Sequence, residues 1–171
     1  MDRIRHCDTP LGGVTLAADG EALVGLWFDG QKRFAAGLAR EYEEGDAPVL
    51  REAEEWLAPY FAGREPPRCP KLAPRGTPFQ RAVWEILLTV PYGRATTYGR
   101  IAEALARRAG LARMSAQAVG GAVGRNPIAL IVPCHRVVGA DGSLTGYAGG
   151  LARKEALLRL ERADLCEPFL P

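Results

Sequence analysis

The sequence predicts an α+β protein in which a small N-terminal αβ lobe with an antiparallel sheet precedes a mostly helical C-terminal lobe. That second lobe is expected to hold a helix-turn-helix and an active-site strand. Three observations carry the expectation: two strand-like runs joined by an Asp-Gly turn, a connector dense in proline and glycine, and apolar residues at helical spacing beyond it. We place the first lobe at 1–65, the extended connector at 66–78 and the helical lobe at 79–171.

The runs "GGVTLAAD" and "EALVGLWFD" are short, rich in β-branched and aromatic residues, and separated by Asp19-Gly20. Helical stretches follow near 34–42 and 50–61. "GREPPRCPKLAPRGTP" then suits an extended connector. Beyond it, Phe79, Val83, Leu87 and Val90 recur at helical spacing until Pro91-Tyr92-Gly93 breaks the pattern. Thr97 can cap a helix through "YGRIAEALARRAG", with Gly110 as its stop. Ser115 can cap the next, "AQAVGGAVGR", which ends before Pro127. Two short helices and a tight turn fit either a helix-turn-helix or an ordinary helical hairpin.

The charge distribution favours a polyanionic partner. Residues 1–91 carry 11 Lys/Arg against 14 Asp/Glu, whereas residues 92–171 carry 11 against 6. No run approaches the roughly 18 apolar residues of a membrane span, and "MDRIRHCDTP" lacks the apolar stretch of a signal peptide. A cytoplasmic protein without membrane attachment is expected. The cysteines at 7, 69, 134 and 166 are scattered with no CxxC spacing, so neither a disulfide framework nor a metal site is expected. His6 and Cys7 alone are too few to ligate a metal.

In the helix "AQAVGGAVGR", Ala116, Ala118, Gly120, Gly121 and Ala122 are small, and each glycine costs helix stability by roughly 1 kcal/mol relative to alanine. Such a helix brings its backbone close to something, either another helix or a narrow minor groove.

The stretch "IALIVPCHRVVG" sets a cysteine beside a histidine in aliphatic surroundings. "IALIV" reads as a buried strand, which puts Cys134 at its end. Adjacent side chains in extended chain diverge, so Cys134 and His135 need a turn or a bridging water to cooperate. A free thiol has a pKa of about 8.5, raised further by burial, and needs a base to become a nucleophile. Glu161 lies four residues after Leu157 and three after Leu158, on their helix face. A carboxylate buried there needs a partner, either His135, which it would orient, or an arginine. Cys134 is on this spacing either a reactive thiol or an inert core one.

"TPFQRAVWEILLTVPYGRATTYGRIA", "AVGGAVGRNP", "IVPCHRVV" and "GYAGGLARKEALL" resemble, in order, the O6-alkylguanine-DNA alkyltransferases. The likeness runs from about Thr77 to Glu161, and the first lobe matches only loosely. It implies direct-reversal repair without a cofactor by a monomer that binds double-stranded DNA through the minor groove. O6-alkylguanine, and O4-alkylthymine with it, is flipped out, and its alkyl group passes once and irreversibly to Cys134.

His135, acting through a water, and Glu161 complete the implied triad, and Tyr98 donates a proton to the departing base. The likeness makes Asn126 a hinge. The carbonyls of Cys134 and Val137, with Tyr147 and the amide of Ala148, form the implied pocket. The implied recognition helix holds Ala116, Gln117, Ala118 and Gly120, and Arg125 and Arg113 supply charge for phosphates. Many relatives have an arginine where Gln117 stands, and Ala148 replaces a serine found in some. The loop "RRAGLARMS" is longer than in compact relatives. Three alternatives stay open: a cysteine hydrolase, a helix-turn-helix regulator, and a non-repairing lesion sensor. Tryptophan replaces the reactive cysteine in such sensors, which Cys134 argues against.

Overall fold

Asp19 organises the first hairpin. Its carboxylate accepts from the amides of Glu21 (3.0 Å) and Ala22 (2.9 Å), and Gly20 turns the chain at φ 112°. The hairpin joins β2 (Gly12–Ala18) to β3 (Leu23–Phe28), and β1 (Asp2–Thr9) pairs antiparallel with β2. A short β4 (Tyr42–Glu44) adds parallel to β1, giving the order β3-β2-β1-β4. The computed structural model describes residues 1–171, and these fall into two units.

The first unit contains residues 1–75 and 127–131. Helix α1 (Pro48–Phe61) begins on its proline, whose fixed φ suits the first helical turn, and packs Val49, Leu50, Ala53, Trp56, Leu57 and Tyr60 inward. Trp56 and Tyr60 stack at 4.8 Å. Every residue of β3 is buried. Trp27, Val24 and Ala17 form a cluster to which Ile4, Leu38 and Ala73 contribute. Two backbone segments cover the open edge of β3: Leu72 bridges Leu23, and Ile128 bridges Leu26.

The helix expected near 34–42 does not form; turns and β4 occupy that stretch. Arg33, Ala35 and Gly37 all take positive φ (56°, 59° and 86°), which no right-handed helix accommodates. Asp2, 2% exposed, pins this loop by accepting from the Ala39 amide and from both terminal nitrogens of Arg75, while Arg75 also donates to the Gly37 carbonyl. The connector thus serves the first unit as packing as well as linkage.

The second unit contains residues 76–126 and 132–171. It differs from a continuous 79–171 lobe in residues 127–131, because the backbone of Pro127 and Ala129 hydrogen-bonds with Leu26. Helix α2 (Pro78–Leu87) opens on a capping box between Thr77 and Gln80, the "TPFQ" of the sequence. Thr97 caps α3 (Tyr98–Ala109), which Gly110 ends in the left-handed conformation, and Ser115 caps α4 (Ala116–Val123). Helices α2, α3 and α4 pack on one another, and the Trp84 indole donates to the Ala122 carbonyl at 2.9 Å. Two short parallel strands, β5 (Thr96–Thr97) and β6 (Val137–Val138), and helix α5 (Leu151–Leu160) complete the unit.

The strand expected over 128–132 is a single bridge followed by tight turns. Leu130 takes φ 69°, and the Ile131 amide donates to the Ala129 carbonyl. The regular strand β6 comes after the cysteine and not before it. No helix is long and apolar enough to cross a membrane.

Candidate active site

Cys134 opens a 3-10 turn, Cys134–Arg136, closed by the Val137 amide donating to the Cys134 carbonyl. The chain is therefore turned, not extended, at the adjacent cysteine and histidine. Cys134, His135 and Arg136 are all buried.

The His135 ring nitrogen Nε2 lies 3.2 and 3.3 Å from the two carboxylate oxygens of Glu161. An ionised carboxylate only accepts, so Nε2 carries the proton and Nδ1 is the basic nitrogen. Arg136 reaches the same carboxylate: its Nε is 3.0 Å from both oxygens and a terminal nitrogen donates to Oε1. Its other terminal nitrogen donates to the Val90 carbonyl at 2.8 Å, and the guanidinium lies over the Tyr92 ring. Both partners envisaged for Glu161 are therefore present.

Burial works against the Glu161 charge, but His135 and Arg136 more than offset it and hold the carboxyl at about 2. Burial pushes His135 down, against the pull of Glu161, so the imidazole is neutral at pH 7. Burial pushes the Cys134 thiol up. A hydrogen bond from Asn126, the charge of Lys154 and the amides of Cys134 and His135 act in the opposite direction.

Asn126 is buried at the end of the α4 segment, where its amide donates to the Val132 carbonyl at 2.8 Å as well as to the Cys134 sulfur. It thus ties the end of the α4 segment to the backbone just before the cysteine turn. Helix α4 buries Val119, Ala122 and Val123 and leaves Ala116, Gln117, Ala118 and Gly121 exposed. A Cβ added at Gly121 would meet nothing within 4 Å, and one at Gly120 would make ordinary contact with the Tyr98 ring. The small outer face of α4 therefore serves no helix packing within the second unit. Arg125 and Arg113 are exposed on either side of it in sequence.

Tyr98, first residue of α3, donates to the Thr145 carbonyl at 3.3 Å and accepts from the Thr145 hydroxyl at 3.3 Å. The Thr145 carbonyl also accepts from Lys154 at 2.7 Å. Val137 is buried in β6, paired with Thr96, while Tyr147 and Ala148 are half-buried in the glycine-rich stretch before α5. The Cys134 carbonyl already accepts from Val137; its second lone pair remains for a ligand.

Residues 78–163 match the family model described as 6-O-methylguanine DNA methyltransferase, DNA binding domain. A methylated-DNA–protein-cysteine methyltransferase of Mycobacterium bovis is 44% identical over 163 residues, covering 95% of this chain and 94% of the relative. The chain belongs to this methyltransferase family. A member from Methanosarcina acetivorans is 45% identical over 155 residues, covering 90% and 94% of the two chains. A crystal structure of Mycobacterium tuberculosis OGT in complex with DNA superposes with a TM-score of 0.79 at 43% identity, covering 94% of this chain and 92% of that one.

Two residues of the site escaped the sequence argument. Arg136 stands inside the quoted aliphatic stretch, where a buried guanidinium must find an anion. Lys154 precedes Leu157 by three residues and Leu158 by four, the spacing that singled out Glu161, and is fully buried.

Proposed function

We propose that the protein repairs alkylated DNA by direct reversal. It binds double-stranded DNA through the minor groove, flips O6-alkylguanine or O4-alkylthymine out of the stack and transfers the alkyl group once to Cys134. The observation that carries this reading is the buried cysteine set beside a His135–Glu161 pair, on a turn tied by Asn126 to a helix whose small face is unpacked.

The chemistry follows from the burial. His135, neutral and protonated on Nε2, takes the thiol proton at Nδ1 through a water, and Glu161 stabilises the imidazolium that results. The sulfur lone pair then forms a bond to the alkyl carbon as the bond from that carbon to O6 breaks. The electron pair stays with the base, and Tyr98 relays a proton to it. The product is a thioether, which offers water no carbonyl to attack, so the protein acts once. Nothing in these steps asks for a cofactor.

Gln117 and Ala118 enter the groove, Gln117 filling the gap left by the flipped base, while Arg125 and Arg113 contact phosphates. Val137, Tyr147 and the Ala148 amide line the base pocket. The protein works as a monomer in the cytoplasm, where DNA and reduced thiols meet.

The test is intact-protein mass after incubation with excess O6-methylguanine duplex, with peptide mapping of the adduct. One methyl on Cys134, gained once without turnover, is expected, and Cys134→Ala should bind the duplex and leave every methyl on the DNA. Tight binding without mass change would replace repair by lesion sensing. Methyl loss in the presence of Cys134→Ala would overturn the choice of nucleophile.

A further inference from the structure

The Glu161 carboxylate serves two neighbours unequally. Its side chain is fully buried, and Arg136 meets it with its Nε 3.0 Å from each oxygen and a terminal nitrogen donating to Oε1. His135 offers the same carboxylate one N–H, from Nε2, at 3.2 and 3.3 Å. Short, multidentate, charge-assisted bonds are the stronger kind, so Arg136 holds the larger share of Glu161. The guanidinium is itself fixed by the Val90 carbonyl at 2.8 Å and lies over the Tyr92 ring.

A dry site favours zero net charge. An arginine is a permanent cation, so Arg136 and Glu161 balance while His135 stays neutral. Without the arginine, the same carboxylate would be balanced by protonating the imidazole, and an imidazolium has no lone pair for a thiol proton. The other groups near His135 do not reverse this count. Lys154 in α5 adds positive charge, which also disfavours the imidazolium, and Cys134 is a neutral thiol before transfer. Burial pushes His135 down first, Glu161 pulls it up, and Arg136 pushes with the burial.

We propose that Arg136 is a positioning residue that keeps His135 available as a base: it claims Glu161 and so holds the imidazole neutral, with its proton on Nε2 and its lone pair on Nδ1. The inference rests on His135 acting as the base for Cys134 in the repair reaction. Glu161 in this arrangement orients the ring without charging it. When the thiol proton reaches Nδ1, imidazolium and thiolate form together, so the net charge of the site is unchanged. The sulfur–carbon bond then consumes the thiolate charge. The imidazolium is left to share Glu161 with Arg136, and its extra proton passes to water. One arginine thus makes His135 ready to accept a proton and quick to release it.

Nitrogen-15 spectra of the histidine rings, recorded on the full chain without DNA across pH 5 to 9, read charge and tautomer directly. The chain has two histidines, and exposed His6 is the internal reference. His135 should be the neutral Nε2–H tautomer at pH 7 and titrate below the ordinary imidazole value of about 6.5. An imidazolium or an Nδ1–H tautomer at pH 7 would overturn the proposal without any variant. Arg136→Met should raise the His135 midpoint by about one pH unit, and Arg136→Lys, which keeps the charge, should recover at least half of that shift. A midpoint unmoved by Arg136→Met, or raised equally by both variants, would overturn it. The acid limb of methyl transfer to Cys134, mapped by mass with methylated duplex, should move by the same interval. A ring midpoint that moves while the acid limb stays would take the role of base from His135. Absence of a methyl from Cys134 in the unaltered protein, with the ring behaviour as expected, would instead strike the repair reading.

Discussion

The two units spend their polar groups differently. In the first unit the buried polar side chains are Asp2, Thr15 and Gln31, and local architecture explains two of them: Asp2 pins a loop, and Gln31 accepts from the Phe28 amide. In the second unit Asn126, His135, Arg136, Lys154 and Glu161 are all buried, four of them ionisable. A core of that kind is less stable than an aliphatic one of equal volume, because each charge must be desolvated. Charges that no architecture requires point to chemistry, and here His135 and Arg136 share a turn with the one buried cysteine.

The sharpest way to break this contrast is to remove one cation from each unit. Arg136→Met should cost the second unit about 3–5 kcal/mol, because it strands Glu161 in a dry core. Arg75→Met should cost the first about 2 kcal/mol, since Arg75 is 39% exposed and Asp2 keeps the Ala39 amide. Urea unfolding followed by tryptophan fluorescence measures both; equal losses would remove the distinction.

Acid sharpens it further. Glu161 is held below its ordinary 4.5, so its stabilisation is present above about pH 4.5 and is lost as pH falls towards about 2. Thermal unfolding should show up to about 3 kcal/mol lost over that window, and Glu161→Gln should flatten the curve. A variant that retains the full acid limb would assign it to other carboxylates, Asp2 first among them, since the Arg75 hydrogen bond holds that group down against its burial.

The smallest effect lies outside both cores. Gln117→Ala should weaken binding to lesion-containing duplex about two- to tenfold while leaving stability within about 0.5 kcal/mol. Unchanged affinity by fluorescence anisotropy would leave Gln117 without a part in the groove.

Periodicity made the helices of the second unit legible because each carries its own signals: caps at Thr97 and Ser115, a glycine stop at Gly110 and an amphipathic face between them. Irregular segments lacked such signals. The stretch 31–41 is apolar enough to suggest a helix, but the Asp2–Arg75 pair, which closes 73 residues of chain, holds it in turns. "IALIV" has strand composition, yet its backbone bonds to Leu26, about a hundred positions earlier, at one point only. The site was legible wherever a polar residue stood among aliphatics. Glu161 emerged from helix spacing, and Lys154 was open to the same inference. The shared use of Glu161 by His135 and Arg136 was not readable, since spacing cannot tell which of two cations reaches an anion.

The five residues 127–131 that complete the β3 edge have a consequence for how the chain can be made and divided. A ribosome adding about 5–20 residues per second has released all of 1–75 well before it reaches them, so the first unit waits, incomplete, while α2, α3 and α4 are synthesised. A nascent chain halted before Pro127 would expose one side of Leu26, and a fragment beginning at Gly76 would carry Ile128, Leu130 and Ile131 with no sheet to bury them. The protein therefore has no cut point between its units, and the two halves of its sequence must mature together.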